Sequence, residues 1–231
     1  MISILCPTRN RPNELARMIK SACDTASSLS HIEFRFRVDD DDTRKYEYYQ
    51  EACPKSFHVL RGDRHKIMCH YWNELIPHAT GNIFMCGNDD IEFKTPGWDA
   101  MIEAEFAKYP DQILLCGGDD GFTHGKAIPH PFVSRKWCEI QGFFSAPYFE
   151  SDYGTDTWNE DIARMIGRRV YLPELLIYHH HPCFGTGPKD RTYKERIVRG
   201  YEQNPGKIYR EKFSERVQIA GRLKAAMMVA A

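Results

Sequence analysis

Asn88, Asp89 and Asp90 stand directly behind the apolar run Ile83–Cys86 and Gly87. Four apolar residues suit a buried strand and are too few for a helix, so the carboxylates fall where a strand leaves its sheet. In open α/β sheets ligands bind outside those strand ends, and paired hard oxygens there suit a divalent cation carrying a phosphate ester. A solvated turn is the competing reading, because Gly, Asn and Asp are ordinary turn residues. His179, His180 and His181 follow the apolar segment Leu175–Tyr178. If that strand continues, His179 and His181 share one face and His180 takes the other. Imidazoles beside Asp90 would suit manganese better than magnesium.

Two further clusters carry charge at strand ends. Pro7, Thr8, Arg9 and Arg11 leave the first apolar run, Ile2–Cys6. Their amides, hydroxyl and guanidinium groups can hold a nucleobase edge, a ribose or a diphosphate, unless Asn10 and Pro12 do no more than start a helix. Asp39–Asp42 follow Glu33–Val38, and four adjacent carboxylates need cations, amide donors or water nearby. A general base is available among Asp152, Asp156, Glu160 and Asp161. Asp156 lies at the amino end of a helical stretch, where it can cap amides and face a cleft, and Asp161 lies one turn further in.

The elements that must position these groups alternate. Strands are expected at Ile2–Cys6, Glu33–Val38 (half exposed), Phe57–Leu60, Ile83–Cys86, Ile113–Cys116, Arg169–Leu172 and Leu175–Tyr178. Helices are expected at Pro12–Ala26, Ile67–Ile76, Trp98–Lys108, Ser134–Gln141 and Trp158–Ile166, with 117–125 as loop. This rhythm predicts an α/β fold whose largely parallel sheet is flanked by helices on both faces. Trp137, Trp158 and the aromatic residues of 143–149 read as core, with at most two facing a ligand.

The chain has 231 residues, 42% hydrophobic and 27% charged, enough for a full core. Eight cysteines without a CxxC pair read as buried thiols rather than a disulfide framework or a zinc site. No signal peptide or membrane span is visible, so a cytoplasmic protein without a membrane anchor is expected, in the host cytoplasm if the chain is viral. Charge is uneven: from Lys189 onward there are 11 Lys/Arg against 5 Asp/Glu, in a chain of net charge −1. This sets a domain at 1–188 apart from a basic helical extension at 189–231. Tyr193, Tyr201 and Tyr209 recur among the cations, a mixture that fits either a polynucleotide track or docking helices with a solvated face.

CPTRNRPNELARMIKSA at the start, VDDDDT after the second strand, Asn73 eight positions before Gly81, and the NDD cluster resemble the nucleotide-sugar half of family-2 glycosyltransferases of the GT-A fold. HPFVSRKWCEIQGFF and TDTWNEDIARMIGRRVYLPELLIYHHHP resemble that family's acceptor-side and catalytic segments, so the resemblance covers about residues 1–183. It implies a GT-A-type, Rossmann-like fold and a metal-dependent, inverting transfer of a hexosyl or pentosyl group from a nucleoside diphosphate sugar, a UDP sugar in particular, to an acceptor hydroxyl. It further implies donor contacts at Pro7, Thr8, Arg9, Arg11, Asp39, Asn73, Asn88 and Asp89, with Asp39 on the base. The metal falls to Asp90, His179 and His181, with Mn2+ favoured over Mg2+. The family's Asp-x-Asp reads Asn-x-Asp here, so Asn88 offers a neutral oxygen and no charge. Register from Gly167 implies Asp156 as catalytic base, with Asp161 second. The acceptor is expected to be a hydroxylated DNA base, as in viral DNA modification, or a carbohydrate. The alternatives are nucleotidyl transfer, for which CPTRNRP lacks a triphosphate loop, and a non-catalytic sugar- or nucleic-acid-binding module.

Overall fold

The computed structural model describes residues 1–46, 56–150 and 154–229. Cys53 and Asp152 lie outside the described residues. The strands are β1 (Ile2–Thr8), β2 (Ile32–Asp39), β3 (Phe57–Gly62), β4 (Ile83–Cys86), β5 (Ile91–Phe93), β6 (Leu115–Asp119), β7 (Phe132–Ser134) and β8 (Arg169–His179). They form one eight-stranded sheet in the order β3-β2-β1-β4-β7-β6-β8-β5. Pairings β1–β2, β1–β4, β2–β3 and β6–β8 are parallel, while β4–β7, β6–β7 and β5–β8 are antiparallel. Chain order reverses at β1 and β4, so their carboxyl ends open a crevice.

Helices α1 (Pro12–Thr25) and α3 (Trp98–Ala107) cover one face. The core there contains Leu15, Met18, Ile19, Ile102 and Phe106 against Ile4, Phe34 and Phe36. Helices α2 (Cys69–Leu75), α4 (Arg135–Gln141) and α5 (Asp156–Ile166) cover the other. Trp72, Trp137, Trp158 and Ile162 pack there against Leu5, Phe84 and Leu115, and the same cluster takes in Ile219 and Leu223. Those two belong to α8 (Phe213–Val229), which follows α6 (Arg191–Gln203) and α7 (Pro205–Glu211). The last helix is therefore built into the core. Residue 188 marks a change in charge, not an edge of packing.

Four expectations need correction. The second strand is buried along its whole length rather than half exposed, because its alternate charged residues lie beneath other elements and pair there. Glu33 accepts from Ser3 Oγ at 2.5 Å, Thr80 N at 2.6 Å and Thr80 Oγ1 at 2.6 Å, and from Arg35 Nη2 at 2.5 Å. Arg37 donates through Nε to Glu74 at 2.6 Å. The short antiparallel strands β5 and β7 were not foreseen, since three residues carry no readable period. The strand expected at 113–116 is shifted to Leu115–Asp119 and takes in residues read as loop; Gly117 and Gly118 belong there because a Cβ on Gly118 would meet the Leu175 carbonyl oxygen at 2.0 Å. Finally, the two late strands are one, β8, which carries Pro173 and pairs with β6 across an irregularity at Gly118 and Asp119.

Glu33 joins β1, β2 and the turn before β4 through a buried ionised carboxylate. Burial works against its charge, but the hydroxyl and amide donors and Arg35 outweigh it and hold its pKa below the usual value. A depressed carboxyl pKa stabilises the fold above the unfolded-state pKa and ceases to do so as pH falls through the folded one. Glu33→Ala should cost about 3–5 kcal/mol by urea denaturation at pH 7, because it leaves Arg35 without its carboxylate and the Ser3 and Thr80 donors without their acceptor. The penalty should shrink when the same titration is run below about pH 4.3.

Candidate functional site

Gly87 sets the height at which the polar cluster leaves the sheet. Its amide donates to Leu5 O at 2.9 Å, and a Cβ there would lie 2.8 Å from Ile4 Cγ2 and 2.9 Å from Leu5 O. Only glycine lets β4 pass this close to β1. Asn88, Asp89 and Asp90 then enter a cleft whose floor also carries Pro7, Thr8, Arg9, Arg11 and Asp39.

Arg11 organises the carboxylates. Its Nη1 lies 3.0 Å from Asp89 Oδ1 and 3.6 Å from Asp90 Oδ2, while Nε and Nη2 donate to Asp190 at 2.7 and 3.1 Å. Thr8 Oγ1 donates to Asp89 Oδ2 at 2.8 Å. Asp90 Oδ1 faces His179 Nε2 at 3.3 Å. Burial and the neighbouring charge of Asp90 push Asp89 up to about 6, against the pull of Arg11. Asp90 goes the other way: burial resists its charge, but the hydrogen bond and charge at His179, reinforced by Arg11, hold it well below the usual carboxylate range. Asp90 is thus the anion and Asp89 the member that first takes a proton.

The strand does not continue through the histidines, since β8 ends at His179. His179 faces the cleft with Asp90, and His180 turns away to Glu92 Oε2 at 2.8 Å. His181 also lines the cleft, with the His179 ring centroid at 4.8 Å and Arg196 Nη2 at 3.4 Å. At the other end Arg9 Nη1 donates to Asp39 Oδ2 at 2.8 Å and pairs with Asp41 as well. Asp39 is 4% exposed, and its Oδ1 is buried without a hydrogen-bond partner among the described residues. Arg37 Nη1 stands 3.8 Å from that oxygen.

The structure does not bring every expected residue here. Asn73 ties α2 to the loop after α4, its Oδ1 accepting from Phe144 N and Ser145 N, both at 2.9 Å, and its Nδ2 donating to Ser145 O at 2.7 Å. It is absent from the cleft wall. Asp161 is held by Arg216 Nε at 2.6 Å, against α8. Asp156 starts α5 and accepts from Thr157 N at 2.7 Å; it is not among the residues that line the cleft. Trp137, Trp158, Phe144 and Phe149 are core. The aromatic rings that do line the cleft are Tyr71, Trp72 and Tyr193.

One wall escaped the sequence reading: helix α6. Asp190 caps it, accepting from Tyr193 N at 2.8 Å while also holding Arg11. Thr192 Oγ1 donates to Arg9 O at 3.2 Å, and Glu195 pairs with Arg64. Tyr193, Arg196 and Arg199 of this helix line the cleft. Arg196 reaches His181 and the Tyr193 ring, whereas Arg199 has no hydrogen bond or ion pair among the described residues. The basic tail was legible as charge. Its direction, inward onto the cleft, was not, because helical spacing alone does not show which face meets the body.

The chain matches Glycosyl transferase family 2 over residues 3–182 and belongs to that family. Its sheet and flanking helices are those of GT-A glycosyltransferases. A mannosyltransferase from Pyrobaculum calidifontis, solved with GDP-Man and Mn2+, superposes with a TM-score of 0.64 at 14% identity, over 99% of this chain and 73% of that one. TarS residues 1–349 from S. aureus, solved with UDP, gives 0.58 at 13% identity over 77% of this chain and 59% of that one. Glucosyl-3-phosphoglycerate synthase from Mycobacterium tuberculosis, solved with Mn2+, UDP-Glc and phosphoglyceric acid, gives 0.55 at 13% identity over 78% and 72%. No curated protein matches the chain. Family 2 membership makes it a glycosyltransferase. Among the described residues no helix is long and apolar enough to cross a membrane.

Removing Arg11 leaves Asp89, Asp90 and Asp190 facing one another. Arg11→Gln should cost about 3–5 kcal/mol in a thermal or urea melt at pH 7.5. The sign with pH follows from Asp89, whose pKa would rise further above its unfolded value, so that the folded state binds the extra proton. The penalty should therefore be smaller at pH 5.5 than at pH 7.5; an equal penalty would show that Arg11 acts by packing.

Proposed function

We propose that this glycosyltransferase moves a hexosyl or pentosyl group from a nucleoside diphosphate sugar, a UDP sugar in our reading, to an acceptor hydroxyl with inversion. The observation that carries this reading is a cleft in which an anionic Asp90 stands 3.3 Å from His179, while Asp39 and Arg199, the latter without a hydrogen bond or ion pair among the described residues, line the same space. The Asp39 carboxylate suits an N–H of the base, and Arg9 and Arg37 fix its orientation. Arg196 and Arg199 suit the diphosphate, where a guanidinium offers paired donors to phosphate oxygens.

The side chains also fit a divalent cation of restricted kind. No group of three or more His, Cys, Asp or Glu residues arranged to hold a metal occurs among the described residues, so the protein offers Asp90, His179 and the Asn88 amide oxygen, with His181 behind His179. Such a set is too poor in charge for a resident ion and needs diphosphate oxygens to complete it. Mixed imidazole and oxygen donors favour manganese over magnesium. When bound, the cation would supply charge to stabilise the departing diphosphate.

Asp156, at the amino end of α5, takes the proton of the acceptor hydroxyl. The acceptor oxygen bonds to the anomeric carbon from the face opposite the diphosphate, and the bond from that carbon to the leaving oxygen breaks with its electron pair going to the diphosphate. Thr8 and Arg11 hold Asp89, keeping the second carboxylate off the reacting centre. For the acceptor, the tail supports a carbohydrate hydroxyl over a hydroxylated DNA base. Tyr193 faces the cleft, Tyr201 is 85% exposed and Tyr209 lies against Arg216, so the three tyrosines share no face along which bases could stack.

Calorimetry should show UDP binding that needs Mn2+ and is lost in Asp90→Ala. Nucleotide binding unaffected by chelator would remove the metal from the reading, and no nucleotide binding at all would leave a binding module. Asp156→Asn should keep the fold and UDP affinity while slowing transfer, or donor hydrolysis without acceptor, by about two to four orders of magnitude. Asp161→Asn should act instead on stability, since its partner is Arg216. A larger rate loss in Asp161→Asn would move the base.

A further inference from the structure

His130 lies behind the cleft, in the loop before β7, and does not line it. It is 3% exposed. Its Nδ1 is 3.3 Å from Asn88 Nδ2, and its ring meets the His179 ring edge-on, centroids 4.6 Å apart and planes at 75°. Two polar atoms in this layer are buried without a hydrogen-bond partner among the described residues: His130 Nε2 and Asp120 Oδ2. The other Asp120 oxygen already accepts from Phe122 N at 3.0 Å, from Thr123 N at 2.7 Å and from Thr123 Oγ1 at 2.8 Å. Asp120 O accepts from His179 N at 3.1 Å, so this residue is tied to the strand that carries the cleft histidines.

These contacts fix more than packing. An amide nitrogen only donates, so a neutral imidazole facing Asn88 Nδ2 must present its lone pair at Nδ1 and carry its proton at Nε2. With Nδ2 turned to His130, the other end of the planar amide, Oδ1, is turned away from it, and Asn88 lines the cleft.

We infer that His130 is a positioning residue that holds the Asn88 amide with its oxygen toward the cleft, so that an asparagine can stand where the family carries a carboxylate. A carboxylate in that position has an oxygen at either end and needs no such orientation. An asparagine has two different ends, and the wrong one would point an N–H at a cation. His130 decides between them through its contact with the amide nitrogen. The inference rests on the donor and cation reading proposed above.

The test is a double-mutant cycle read by binding rather than by turnover. Affinity for UDP with Mn2+, and for UDP with chelator, would be measured by calorimetry for the wild type, His130→Leu, Asn88→Asp and the double variant. Circular dichroism melts would establish that each is folded. His130→Leu should weaken Mn2+-dependent binding about tenfold in the wild-type background and less than about twofold in Asn88→Asp, because the carboxylate is indifferent to its neighbour. His130→Asn, whose amide oxygen can take the place of Nδ1, should restore most of the loss and provides the test if the leucine variant does not fold. Equal losses from His130→Leu in both backgrounds would overturn the inference and make His130 a packing residue. So would a loss that His130→Asn fails to restore. Absence of Mn2+-dependent UDP binding in the wild type would instead overturn the donor reading on which the inference rests.

Discussion

Three acidic side chains, Asp89, Asp90 and Asp190, meet one guanidinium, that of Arg11, at the crevice between β1 and β4. Packed this way the carboxylates would repel by several kcal/mol at low local dielectric, so the crevice exists only because Arg11 is inside it. The loop after β1 must deliver that guanidinium, and Pro12 at the start of α1 fixes the turn from which it reaches back. Gly87 must let β4 approach β1 closely enough for Asp89 to be reached by both Thr8 and Arg11. Asp190, far along the chain, closes the arrangement and thereby docks α6. One ion cluster therefore links the first loop, the β4 exit and the tail.

The same cluster explains why the two neighbouring aspartates behave differently. Asp89 is engaged by donors at both oxygens, yet burial and the charge beside it favour its protonation. Asp90 shares Arg11 only at 3.6 Å but has His179, and it keeps its charge. Asn88, directly before them, adds no charge to the cluster, and its amide nitrogen meets buried His130 at 3.3 Å.

Most of the architecture was legible in the sequence wherever a segment had length and period. The boundaries of β4 follow directly from Ile83–Cys86, and α1 from Leu15, Met18, Ile19 and Ala22 on one face. What escaped were elements specified by partners rather than by their own pattern. Strands β5 and β7 are three residues each and exist because β8, β4 and β6 offer edges to them. Buried charge misled as well: Glu33, Arg35 and Arg37 alternate like a solvated face, and only pairing with Ser3, Thr80 and Glu74 makes them interior. For the cleft, the residues on strand ends could be read, because topology alone puts them there. Asn73 and Asp161 could not be judged, since their roles depend on the Phe144–Ser145 loop and on Arg216, both distant in sequence.

Helix α6 shows how the tail serves the cleft without being part of the core. It buries no residue, while α8 beyond it contributes Ile219 and Leu223 to the second core cluster. The strength of its attachment is therefore polar: Asp190 on Arg11, Glu195 on Arg64, and Thr192 on the Arg9 carbonyl. Ion pairs at a half-exposed rim are individually weak and sensitive to salt, whereas apolar burial of the α8 kind is neither. Its far end is secured by neutral hydrogen bonds instead: Glu150 N donates to Gln203 Oε1 and Gln203 Nε2 donates to Tyr148 O, both at 2.8 Å. Between these anchors the helix presents Tyr193, Arg196 and Arg199 to the cleft. An anion bound by those arginines would add to the attachment what apolar burial does not supply, because any ligand that prefers the docked helix stabilises it by its differential affinity.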